Sequence, residues 1–152
     1  MALSKSILKQ ELSKLMDNTH PQFLGFSSNI SIIGDRWANV VKVYSSTIVP
    51  PSATLETAKS GFYTTMLNMD LGIGRTIFQS AFLQFTLLLA AGMTPAFIGT
   101  PPPTPINFSS LYALPLDTDI NTKIEVFATI IDAWFRTGTA TPSGGGSPIL
   151  WN

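Results

Sequence analysis

Between positions 76 and 116 the chain contains no Asp, Glu, Lys or Arg, a run of 41 residues. Exposed apolar patches beyond a few hundred Å² invite association. A run of this length is therefore tolerated in three settings: the centre of a domain, a membrane, or contact with other chains. Its second half is constrained further. Pro95, Pro101, Pro102, Pro103, Pro105 and Pro115 fall within residues 94–116, where they prevent a sustained helix and favour extended polyproline geometry. Phe97, Ile98, Ile106, Phe108, Leu111 and Tyr112 are interleaved with them. That mixture predicts a rigid crossover lying across apolar surface rather than a solvated linker.

The rest of the chain balances its charges. Nine basic and nine acidic side chains leave no net charge, and only 12 % of residues are charged, about half the usual share. Nothing here attracts nucleic acid or anionic lipid over long range, and little self-repulsion keeps copies apart. At 152 residues the chain has about one domain's worth of sequence. It has no cysteine and a single histidine, which excludes disulfide scaffolds, thiolate metal sites and multi-histidine metal sites. Lys5, Lys9, Glu11 and Lys14 interrupt the first apolar residues, so no signal-peptide core is expected there.

Helical periodicity dominates outside the crossover. Leu3, Ile7, Leu8, Leu12, Leu15 and Met16 recur at three- and four-residue steps, predicting an amphipathic first helix. A second, over residues 29–48, is marked by Ile30, Ile33, Trp37, Val40, Val41, Tyr44 and Ile48, with Gly34 weakening its early turns. Pro50 and Pro51 end it. Ser52 or Thr54 is expected to cap a third helix over 53–68, striped by Leu55, Ala58, Phe62 and Met66. A fourth, over 75–91, is apolar nearly all round and is expected at the centre of the fold. Asp117, Thr118 or Asp119 caps a fifth that ends near Arg136, carrying Ile120, Ile124, Phe127, Ile131 and Trp134 or Phe135. Strand alternation is nowhere sustained. The expected fold is therefore all-α: a bundle of about five helices over residues 1–136, with a Pro-rich crossover at 94–116 and an extended Gly/Pro/Ser/Thr-rich C-terminal arm at 137–152.

The candidate chemical motifs have structural explanations. Gly72, Gly74, Arg75 and Thr76 open a helix and could cradle a phosphate, but the third glycine of the dinucleotide fingerprint and the P-loop lysine are missing. Asp117 and Asp119 could hold a divalent cation, yet they are equally the residues a helix N-terminus favours. His20 stands in a turn with no nucleophile or carboxylate nearby in sequence. Glu11, Glu56 and Glu125 sit among basic neighbours on helix faces. Pro102 and Pro105 fit a P-x-x-P ligand without its flanking basic residue. Asn29 and Asn107 match the glycosylation pattern by chance. No catalytic residue, metal ligand or cofactor site is expected.

The arm carries the strongest functional signal. After Gly144, Gly145 and Gly146 come Pro148, Ile149, Leu150 and Trp151, an apolar anchor on a flexible tether. Flexible segments seldom end this way. Such an anchor suits either a groove on a neighbour or the chain's own core, and the residues themselves favour neither. The expected subunit interface is Phe97, Ile98, Ile106, Phe108 and Tyr112 with Ile149, Leu150 and Trp151.

Several stretches also resemble virion structural proteins, themselves uncharacterised, of tailed bacteriophages. They are Trp37-Ala-Asn-Val-Val-Lys-Val-Tyr44 running into Val49-Pro50-Pro51-Ser52, Gly92-Met-Thr-Pro-Ala-Phe-Ile-Gly-Thr-Pro-Pro-Pro103, and Trp134-Phe-Arg-Thr-Gly-Thr-Ala140 with Trp151-Asn152. The similarity touches residues 37–152, and the block around Pro95 to Pro103 is its most specific part. The resemblance implies a non-enzymatic subunit of head, neck, tail or baseplate, assembled in the bacterial host cytoplasm. Its partners would be copies of itself and other virion proteins, without direct nucleic-acid contact or a small-molecule substrate. The alternative is a small membrane-inserting phage protein using residues 75–91 as its span.

Overall fold

Six helices and three short strands form along residues 2–68 and 74–152, the part of the chain that the computed structural model describes. In order they are α1 (Lys5–Met16), α2 (Ile30–Ser45), α3 (Leu55–Met66), α4 (Gly74–Ala91), β1 (Phe97–Thr100), α5 (Ser109–Tyr112), α6 (Ile120–Phe135), β2 (Thr139–Pro142) and β3 (Ile149–Leu150). The chain is mostly helical, roughly in keeping with the all-α expectation, and adds to it a small antiparallel sheet ordered β1-β2-β3. The brief helix α5 inside the Pro-rich region was not anticipated either.

Side-chain caps start three of the helices. The Ser4 hydroxyl accepts from Ile7 N, Asn29 Oδ1 from Ser31 N, and Asp119 Oδ1 from Thr122 N at 3.0 Å. Each satisfies an amide that the helix itself leaves unpaired. Ser52 and Thr54 act differently from expectation, for Thr54 makes no side-chain cap on α3. Instead Ser52 Oγ donates to Leu89 O at 2.7 Å and Thr54 Oγ1 to Leu88 O at 2.5 Å, closing the C-terminal end of α4. Leu88 O and Leu89 O also accept from Gly92 N just past the helix, at 3.3 and 3.2 Å, so the hydroxyls add a second donor to each at the last turn.

The helices are neighbours in the order α6, α1, α2, α3, α4, and aromatic rings bridge α4 back to α6. Phe82 meets Trp134 edge-on at 6.1 Å and Phe78 meets Phe127 at 6.4 Å. Phe62 of α3 packs edge-on against Phe82 at 5.2 Å. Edge-to-face contacts of this kind add about 0.5–1.5 kcal/mol each beyond area burial. α2 runs through Gly34 without a break; a methyl there would stand 3.2 Å from Met66 Cβ, so the missing side chain lets α2 and α3 close up.

Residues 101–108 lie over this aromatic core. Trp134 Nε1 donates to Thr104 O at 2.7 Å and Gln79 Nε2 to Ile106 O at 2.8 Å. Ile106 and Phe108 are fully buried, and the Phe108 ring lies 5.2 Å from Phe78 and 5.4 Å from Phe127. The residues after α6 do not extend away. β2 returns beside β1, with Ile98 opposite Thr141 and Gly99 opposite Ala140. Beyond β3, Trp151 enters the core at 1 % exposure, next to Phe135 and flat against Gly138. Its Nε1 donates to Thr139 O, and its backbone N to Gly138 O, both at 2.9 Å.

Candidate functional site

Residues 137–152 are as free of charge as residues 76–116. Through the β1–β2 pairing the fold sets these two segments side by side. Directly opposed residues of an antiparallel pair share a face. Ile98 with Thr141, Thr100 with Thr139, and Thr139 with Leu150 therefore make the outer face of the sheet. Ile98 is 58 % exposed there and Leu150 63 %. Buried Ala140 and half-buried Phe97 take the opposite face, against the core.

The C-terminal end of α4 packs against the inward face of β1. Phe97 N donates to Met93 O at 3.1 Å. A side chain at Gly99 would stand 2.5 Å from the Ala90 carbonyl oxygen, so only glycine allows the helix end so near the strand. α4 itself keeps an exposed stripe. It consists of Ser80, Leu83, Gln84, Leu87 and Ala91. Residues 75–91 are apolar nearly all round, as expected, but they are not enclosed on all sides: Leu83 and Leu87 face outward. Sequence reasoning missed both leucines, because only the packing of α3 and α6 determines which side of so apolar a helix is covered.

Charged side chains cluster elsewhere. Lys5 and Lys9 reach Glu125 at 2.7 and 2.5 Å, joining α1 to α6. Lys42 pairs with Glu56, and Lys59 with Asp35 at 3.2 Å, joining α2 to α3. The two lysines hold the Glu125 carboxyl down at about 2.

The expected interface residues separate into two groups. Ile106, Phe108 and Trp151 are enclosed in the chain's own core, and for these three the interface expectation is corrected. Burying a large aromatic ring is worth more inside the fold than on a partner that must first be captured. The anchor of the C-terminal arm docks on its own domain, one of the two alternatives its residues leave open. Ile98, Ile149 and Leu150 are exposed around the sheet, while Phe97 is half-buried beneath it. Tyr112 is exposed on α5, away from the sheet, with the Arg75 guanidinium 4.1 Å over its ring.

One polar cluster ties distant parts of the chain. Tyr44 Oη donates to Asp132 Oδ1 at 2.7 Å, and Arg136 Nε donates to Asp132 Oδ2 at 2.9 Å. Arg136 also donates to Leu3 O through Nη2 and to Asn152 Oδ1 through Nη1, each at 2.7 Å. Val49 and Asn152 exchange backbone hydrogen bonds beside it. Burial, then the hydrogen bond to Asp132, pushes the Tyr44 phenol far above its ordinary range. Each of these side chains finds its partners within the chain, which makes the cluster a staple.

The remaining candidates hold local structure. His20 Nδ1 accepts from Gln22 N at 3.1 Å in an exposed turn. Asp119 is the α6 cap, its carboxyl held low by Thr122. Gly72 lies outside the described residues, and Gly74 begins α4. Among the described residues no group of three or more His, Asp or Glu could hold a metal ion, and no helix is long and apolar enough to cross a membrane. Comparison with protein-family models, with curated proteins and with solved structures finds no match to this chain.

Proposed function

We propose that this chain is a structural subunit of a tailed-bacteriophage virion, in head, neck, tail or baseplate, without catalysis of its own. The observation that carries the reading is the pairing of two charge-free segments in one sheet, with Ile98 and Leu150 exposed on its outer face and Leu83 and Leu87 exposed elsewhere on the first segment. A permanent interface resembles a domain core cut in half, and a surface without charges to desolvate suits one. The resemblance of residues 37–152 to virion proteins supplies the setting. In this reading the helices form a bundle, residues 94–116 cross over it, and its partners are further copies and other virion proteins.

Electron microscopy of the native assembly, together with incorporation of I98D and L150D variants into particles, tests the proposal. Ordered particles containing the wild-type chain but not the folded variants are expected. Equal incorporation of the variants, or a wild-type chain found in no particle, would overturn it. Deleting residues 147–152 is a poorer test, because it removes Trp151 from the core as well.

A further inference from the structure

The ion pairs leave a remainder that is not scattered. Lys5, Lys9, Lys14, Lys42, Lys59 and Arg136 each have a carboxylate partner. Among the described residues Arg36, Arg75 and Lys123 have none. Arg36 donates only to Gly25 O, at 2.5 Å, and Lys123 only to Leu116 O, at 3.2 Å. All three line two apolar clefts, of about 380 and 290 Å³, that share Met16. The larger is walled by Leu15, Ile33, Trp37 and Ile120, with Phe26 and Arg36. Its size lies within the ordinary range of ligand-sized pockets.

A matching remainder exists on the acidic and apolar side. Asp117 is the one described carboxylate with neither an ion pair nor a side-chain hydrogen bond; Asp17 and Asp119 are engaged by Thr19 and Thr122. Directly before it, Leu116 is 98 % exposed, the most exposed large apolar side chain described. Thr118 N donates to Pro115 O at 3.1 Å, which places Leu116 and Asp117 at the tip of a turn. Both projecting groups therefore lack a partner, and the Arg36 cleft lacks an apolar group and an anion.

From this complementarity we propose that two copies of the chain associate by reciprocal insertion, Leu116 entering the other copy's cleft and Asp117 pairing with its Arg36. Ile120, in the cleft wall, lies just beyond the turn on α6, so knob and hole border one another. A two-fold axis between them closes the pair and makes every contact twice. The inference needs neither the uncharged sheet face nor a virion, and it stands or falls separately from that reading.

Sedimentation velocity on the whole chain across a dilution series is the test. Wild type forms a dimer that weakens with added salt. L116S, D117R and R36D each lower the association constant at least ~10-fold, because apolar or charge pairing is lost at both sites. An equimolar mixture of D117R and R36D recovers the dimer: the introduced arginine meets the introduced aspartate at one site, and the native pair remains at the other. The side chains of Leu116 and Asp117 are exposed, so L116S and D117R stay informative even if R36D disturbs the Gly25 loop. A wild type that is monomeric throughout overturns the proposal. So does a dimer indifferent to L116S and D117R, or a mixture that fails to recover. A D117R variant altered in melting temperature but not in mass places the aspartate in a local pair and overturns it equally.

Discussion

Tyr44 and Asp132 lie 88 positions apart and share a 2.7 Å hydrogen bond in which the phenol donates and the carboxylate accepts. Arg136 holds the other oxygen of that carboxylate and reaches Leu3 and Asn152 beyond it. One buried contact between α2 and α6 thereby supports the guanidinium that gathers residues from both ends of the chain. Y44F removes the donor and leaves Asp132 short of a partner. The expected loss is about 1.5–3 kcal/mol, as for hydrogen bonds to charged groups, read as a lower urea midpoint at unchanged slope.

The same phenol sets an alkaline limit. Its pKa is raised on folding, so the native state holds the proton more tightly than the unfolded one. The stability this contributes is full below the unfolded value, about 10, and is lost as pH rises from there toward the folded value. Wild type should lose stability above pH about 10 more steeply than Y44F. Parallel pH profiles of the two proteins would refute the linkage.

Much of this architecture was legible from residue spacing. The stripes of α1, α2, α3 and α6 recur at helical steps, and their ends fall within a few residues of those expected. The sheet was not legible, for a physical reason. β1 is four residues long beside prolines, β2 reads Thr-Ala-Thr-Pro, and their inward positions are Phe97, Gly99, Ala140 and Pro142. Small residues against a close-packed helix leave no alternation to detect. Trp151 posed a different difficulty: an apolar anchor suits any groove, and only Gly138, bare enough to take the indole, identifies the one it enters. Of the expected interface, Ile98, Tyr112, Ile149 and Leu150 lie exposed. Leu83 and Leu87 were hidden within an apolar helix whose covered side depends on its neighbours.

Truncating that anchor should be costly. W151A empties a site walled by Phe135 and Gly138, and loss of a buried Trp side chain costs about 3–5 kcal/mol. Chemical denaturation should show a loss of that size, with lower thermal stability and weaker near-ultraviolet circular dichroism. A loss under about 1 kcal/mol, within the range of surface substitutions, would mean that the indole is not packed as described.

Glu125 should govern the acid side. Hydrogen bonds from Lys5 and Lys9 depress its carboxyl to about 2. Its contribution is present above the unfolded value of about 4.3 and disappears as pH falls through about 2. The stability difference between wild type and E125Q should shrink steadily across that interval. High salt should reduce it at every pH, since the carboxyl is exposed.

On the sheet face the expected signature is a separation of effects. I98D and L150D alter outward side chains, so monomer stability should stay within about 0.5 kcal/mol of wild type. Higher-order association through that face should fall sharply, because each adds a charge that must be desolvated. Light scattering beside a thermal melt reads both quantities, and a large loss of monomer stability would show that the face is load-carrying within the fold.

The order in which the strands occur has a consequence for synthesis. β1 finds its partner only at residues 139–142, and the core receives its last indole only at Trp151. A chain emerging from a ribosome displays α4 and the proline-rich stretch long before either arrives. During that interval its least charged surfaces are uncovered, a period in which nascent chains are prone to aggregation. The packing described here is complete only once these residues have been translated, and the interval before that is when a chaperone would have most to protect.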